Sequence, residues 1–141
     1  MRVFLDANVI FSAAHRETGS VRVLFDLADA GLCELVSSAY AVAEARRNVA
    51  NNHPDRLADL EALLSRLAVC REANREHMER ANQHRLPAKD VPILAAAMQA
   101  GAGVLVTGDR TDFGHLFGQE VDGTLLVVPP ADAIRRIIGK A

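Results

Sequence analysis

A chain of 141 residues can enclose one hydrophobic core and bury roughly two-thirds of its unfolded surface, and 50% apolar with 24% charged residues is the composition of a globular domain. A formal charge of −2 excludes a histone-like polybasic binder, and no apolar run reaches the roughly 18 residues of a membrane helix. The opening MRVFLDANVI carries one Arg and then an Asp inside its apolar stretch, unlike a secretory signal, so the cytoplasm is the expected compartment.

In chain order, RVFL (2–5) is a short apolar strand. SVRVLFDLADAG (20–31) has a capping Ser, apolar residues at helical spacing and a terminating Gly, and is a helix. CELVSS (33–38) follows as a strand, then SAYAVAEARRNVANNHP as a helix stopped near Pro54. Residues 55–67 form another helix, with Leu57, Leu60, Leu63, Leu64 and Leu67 on one stripe. A strand at 68–71 precedes the polar helix REHMERANQHR, which ends before Pro87. KDVPILAAAMQAG is a helix with Asp90 at its N-cap, Pro92 in the tolerant first turn and Gly101 at its end. GVLVT (103–107) and TLLVV (124–128) are strands, and PADAIRRIIGKA (130–141) is a closing helix. Strands alternating with amphipathic helices predict one α/β domain over residues 1–141, with a mainly parallel sheet covered on both faces.

That topology places acids together. Sites in open α/β sheets lie beyond the carboxyl ends of the strands; Asp6 follows the first strand, while Asp109 and Asp112 follow GVLVT. Asp90 at a helix start and Glu44 on AVAEARR can face the same edge. Each has an ordinary alternative. Asp90 alone is a helix cap, Asp109 and Asp112 are a turn and the cap of a short DFGHLF helix, and Glu44 is a solvated helix residue. Asp6 resists such a reading, because burying a carboxylate among apolar neighbours costs several kcal/mol unless it is paired or bound to metal. Carboxylates without a matching set of His and Cys suit a hard cation, Mg²⁺ or Mn²⁺, and such ions promote phosphodiester hydrolysis. Asn8 and Thr107 can support the acids through an amide and a hydroxyl. Lys89 is the one candidate for a fixed cation among them. Cys33 and Cys70 have no metal-ligand spacing and are expected as reduced, buried thiols.

FLDANV, the acid Glu44 on a mid-chain helix, KDVPILAAA and LVTGDRTDF together resemble the PIN-domain nucleases, and the small size is similar to the toxin ribonucleases of bacterial toxin–antitoxin pairs. The resemblance implies a Rossmann-like α/β/α sandwich and a metal-dependent endoribonuclease cutting single-stranded RNA. Asp6, Glu44, Asp90 and Asp109 would be its catalytic quartet, and Asp6, Asp90, Asp109 and Asp112 its Mg²⁺ or Mn²⁺ ligands, with the choice between Asp109 and Asp112 as the last ligand open. An antitoxin protein is the implied partner, and the leucine-rich helix with helix 20–31 offers apolar surface for that partner or for a homodimer. Two alternatives stand beside this reading. A haloacid-dehalogenase-type phosphatase wants a second acid where Asn8 stands, and an RNA-binding module would keep the fold without turnover.

Overall fold

The computed structural model describes residues 1–139. The order of elements is β1 (Arg2–Leu5), α1 (Ala7–His15), α2 (Ser20–Asp29), β2 (Glu34–Ser38), α3 (Ala39–Asn52), α4 (Leu57–Leu64), β3 (Ala68–Cys70), α5 (Arg75–Ala81), α6 (Val91–Gln99), β4 (Val104–Val106), α7 (Arg110–Phe113), β5 (Glu120–Val121), β6 (Leu125–Val128) and α8 (Pro130–Gly139). The strands form one sheet in the order β3-β2-β1-β4-β6-β5, parallel except for the short edge strand β5. No helix among the described residues is long and apolar enough to cross a membrane.

The sheet is buried on both faces because its strands are continuous apolar runs rather than alternating ones. Val3, Leu5, Val104 and Val106 point to one side and pack with α1, α2, α3, α4 and α8. Phe4, Val36, Leu105 and Val127 point to the other and pack chiefly against α6, whose run from Ile93 to Ala97 is almost wholly enclosed. This is the expected α/β/α sandwich. After β1 the chain winds outward through β2 and β3, then returns to place β4 on the opposite side of β1. The winding therefore reverses between β1 and β4, and a crevice opens beyond their carboxyl ends.

Several sequence expectations shift. ANVIFSAAH forms α1, a helix that carried no separate prediction; its polar stripe is narrow, only Asn8, Ser12 and His15, beside a broad buried face. The helix expected over 55–67 is shorter: residues 54–56 form a 3-10 turn and α4 begins at Leu57. Its Leu60, Leu63 and Leu64 are buried in the core, as are Leu24 and Phe25 of α2, while Leu57 and Val23 are exposed and Leu67 is half-buried, so most of the leucine stripe is interior packing and the open apolar surface is smaller than the partner argument assumed. Asp109, rather than Asp112, caps the helix after β4, and Asp112 lies inside it. Cys33 and Cys70 are free and half-buried. The last two residues of the predicted closing helix lie outside the described residues.

Candidate functional site

Asp6 ends β1 and starts α1. Its residue is only 4% exposed, and both carboxylate oxygens are hydrogen-bonded: Ala7 N donates to Oδ1 at 2.7 Å, while Thr107 Oγ1 and Asn8 Nδ2 donate to Oδ2 at 2.8 and 3.1 Å, leaving Oδ1 with a free lone pair. Asn8 is fixed from both ends of its amide, since Oδ1 accepts from Gly108 N at 2.9 Å and Nδ2 also reaches Thr107 Oγ1 at 3.2 Å. Thr107 in turn accepts from Asp109 N at 3.2 Å. The two supporting residues thus join the β1 and β4 termini into one network, and Thr107 is more than a β-branched strand end.

Burial pushes the Asp6 carboxyl above the ordinary carboxylate range. The hydrogen bonds from Thr107 and Ala7 pull it down, and the negative charges of Glu44 and Asp109 push it up again. That influence places Glu44, on α3, within electrostatic reach of Asp6. Glu44 itself is half-buried, and among the described residues it makes no side-chain hydrogen bond or ion pair.

Asp90, Asp109 and Asp112 come closest together, with one carboxylate oxygen of each inside a mutual distance of 4.8 Å. Asp109 accepts from Asp112 N at 3.0 Å and so caps α7. Asp90 behaves differently. It stands at the N-cap of α6, but its side chain makes no capping bond, and its backbone carbonyl alone begins the helix. The carboxylate turns toward its neighbours, in a residue only 7% exposed. Its pKa rises to about 6, chiefly through burial and then through Asp112, against the pull of Lys89. Asp112 is held below the ordinary range, first of all by Lys89.

Lys89 Nζ lies 3.1 Å from Asp90 Oδ2 and 2.9 Å from Asp112 Oδ2. Its backbone is anchored from α3, where Tyr40 donates its hydroxyl to Lys89 O at 2.8 Å. Tyr40 was not singled out from sequence. The available signal was weak: it is the only Tyr of the chain and stands one helical turn before Glu44. Beside Asp109 a cleft of about 380 Å³ is lined by Asn8, Ser12, Val21, Gly108 and Pro130.

The acid trio offers oxygen ligands alone, with no imidazole or thiolate, and it is the one group of this kind among the described residues. Such a donor set fits a hard divalent cation and is ill suited to Zn²⁺.

Fold and site together define an α/β domain with acids assembled at the switch point of a parallel sheet. A model of the PIN-domain family matches residues 2–111, and the chain belongs to that family. Among solved structures, VapBC2 from Rickettsia felis, bound to a DNA fragment from their promoter, aligns with a TM-score of 0.69 at 18% identity over 92% of this chain and 98% of that one. PAE2754 from Pyrobaculum aerophilum aligns at 0.66 and 17% identity over 99% of both chains, and FitAcB from Neisseria gonorrhoeae at 0.59 and 22% identity over 92% and 98%. At these identities the likeness establishes the fold. No curated protein gives a significant match.

Proposed function

We propose that this chain is a divalent-cation-dependent endoribonuclease that cleaves single-stranded RNA, acting as the toxin of a toxin–antitoxin pair. The observation that carries the reading is the carboxylate of Asp90. It sits at a helix start where capping is the cheapest use of an Asp, yet it makes no capping bond and joins Asp109 and Asp112 instead. Membership of the PIN-domain family, a nuclease family, supports the class of reaction.

In this reading Asp90, Asp109 and Asp112 hold Mg²⁺ or Mn²⁺ with Asp6, and Glu44 completes the catalytic quartet of Asp6, Glu44, Asp90 and Asp109. The cation supplies the Lewis acidity that activates water and stabilises charge at a scissile phosphodiester. The chain's own groups do the rest. Thr107 and Asn8 fix the Asp6 carboxylate, so that no reorganisation is needed at the moment of reaction. Glu44, which has no hydrogen-bond or ion-pair partner among the described residues, would accept a proton from an attacking water. The cleft beside Asp109, with polar Asn8 and Ser12 facing apolar Val21 and Pro130, suits a nucleotide next to the scissile phosphate.

The solved complexes that share the fold include toxin–antitoxin assemblies, which supports an antitoxin as this chain's partner. The phosphatase alternative loses ground, because the position where it needs a second acid is Asn8, whose amide is committed to Asp6 and Gly108. Incubation with single-stranded RNA and Mn²⁺ or Mg²⁺ tests the proposal. Fragments should appear, EDTA should stop them, and small phosphate monoesters should stay intact. Phosphate release from monoesters with RNA untouched would instead identify a phosphatase, and metal-independent binding without cleavage would identify an RNA-binding module.

A further inference from the structure

The cleft beside Asp109 does not end at Ser12. Ser12 and Val21 also line a second cleft, of about 220 Å³, whose other walls are Arg16, Thr18, Gly19 and Ser20. The two clefts form one groove that leads from the acid cluster along α1 to the loop before α2. Asn8, Ser12 and Arg16 follow it at intervals of four residues, about one helical turn or 6 Å per step, so the polar edge of α1 runs about 12 Å outward from the acids.

Charge changes sign along that edge. Asp109 lines the inner end, and among the described residues Arg16 is the one charged residue lining the outer end. Arg16 directly follows α1, is exposed, and makes no side-chain hydrogen bond or ion pair among the described residues. The neighbouring acid does not neutralise it, because Glu17 pairs with Arg56 at 2.9 Å. Thr18 and Ser20 add hydroxyls, and Val21 is the one apolar side chain of the outer cleft. A guanidinium without a partner beside hydroxyl donors suits a phosphate group, whereas an apolar peptide face would find little to cover there.

We propose that this groove carries the single-stranded RNA away from the scissile bond, and that Arg16 binds a backbone phosphate of the nucleotides beyond the inner cleft. The direction of the strand rests on the nuclease reading of the acids. Arg16 takes no part in bond cleavage; it is a positioning residue that fixes the register of the strand and is indifferent to base identity, since phosphate contacts carry no sequence information.

Fluorescence anisotropy of a labelled single-stranded RNA, in EDTA and in Ca²⁺, compares wild type with Arg16→Gln. The fold should tolerate the change, because the side chain is exposed and only the Arg16 backbone N–H is engaged, with Ser12 O. The variant should bind about tenfold more weakly, and the slope of log affinity against log salt should shrink by about 0.7. In Mn²⁺ its KM for cleavage should rise by a similar factor with kcat held, and Arg16→Lys should recover part of the loss. RNAs with a single neutral methylphosphonate linkage, moved one position at a time, locate the contact: one linkage should weaken binding to wild type and leave Arg16→Gln unaffected. Equal binding by both proteins, or a loss that no single neutral linkage reproduces, overturns the proposal. RNA binding indifferent to Arg16 beside Arg16-dependent binding of an oligoglutamate peptide assigns the groove to a protein partner instead. Arg16-dependent RNA binding without cleavage in Mn²⁺ leaves the groove standing and removes the nuclease reading; a wild type that binds no RNA removes both.

Discussion

Thr107 donates its hydroxyl to Asp6 Oδ2 at 2.8 Å across a sequence separation of 101 residues. Both side chains are nearly or fully enclosed, so the bond joins the ends of β1 and β4 where solvent cannot replace it. Thr107→Val keeps the shape and deletes the donor. Leaving a buried acceptor short of a partner costs about 1–3 kcal/mol; an unfolding free energy lowered by that amount in urea titrations is expected, with weaker Mn²⁺ binding. Thr107→Ser should recover most of both. A Val variant as stable as wild type would show that Ala7 and Asn8 alone satisfy Asp6.

Two helix-start aspartates should separate under substitution, because only one of them caps. Asp109 accepts a hydrogen bond from Asp112 N, so Asp109→Ala loses a cap and about 1 kcal/mol. Asp90 makes no such bond, and its buried charge costs stability at neutral pH, so Asp90→Asn in EDTA should melt at or above wild type. RNA cleavage should collapse in both. A folded Asp90→Asn protein that still cuts RNA at a near-normal rate returns Asp90 to a structural role.

Asp90 also makes the site sensitive to pH. Its carboxyl titrates at about 6 in the folded chain against an ordinary value of 3.8, chiefly because burial penalises the charge. Between those values the folded state retains a proton that the unfolded state has released. Stability in EDTA therefore falls as pH rises through this window and levels off above it. Asp6, also raised, acts in the same direction. Subtracting the melting curve of Asp90→Asn from that of wild type across pH should isolate the Asp90 part. Cation binding needs the carboxylate, so Mn²⁺ affinity should rise over the same range. An affinity that is flat with pH would exclude Asp90 from the ligands.

Saturating cation should stabilise the wild type by mass action, about 2.7 kcal/mol at a hundredfold excess over the dissociation constant. Thermal melts in EDTA and in Mn²⁺ measure the difference. Asp90→Asn should gain much less, and equal gains in both proteins would indicate that the ion binds elsewhere.

Leu60 tests the revised view of α4. It is fully buried between α4 and the helices beside it, so Leu60→Ala should cost about 2–5 kcal/mol. Because the residue belongs to the chain's own core, the loss should not depend on protein concentration. A melting temperature that rises with concentration in wild type and not in the variant would place Leu60 at an interface instead.

Apolar strands, helix-period stripes and their stops are local signals, and they were enough to establish the α/β class, the parallel sheet and the chain order of nearly every element. The same locality explains the failures. α1 is short and marks its polar face with only Asn8, Ser12 and His15, so its period is faint, and β5 is two residues long, paired to β6 across a tight turn where Asp122 and Gly123 take positive φ. The acids were legible for a physical reason: an Asp between apolar residues, and two more directly after a strand, conflict with their surroundings unless something else employs them. What sequence could not decide was how each carboxylate is used. Asp90 occupies a cap position without capping, Asp109 caps where Asp112 was expected to, and the mutual repulsion expected of bare acids is partly met by Lys89. Those outcomes depend on distances of about 3 Å between side chains brought from α3, α6 and the ends of β1 and β4. Such distances arise only when the sheet closes and its winding reverses between β1 and β4, because hydrogen bonds and ion pairs at that range depend on tertiary placement and leave no period in the chain.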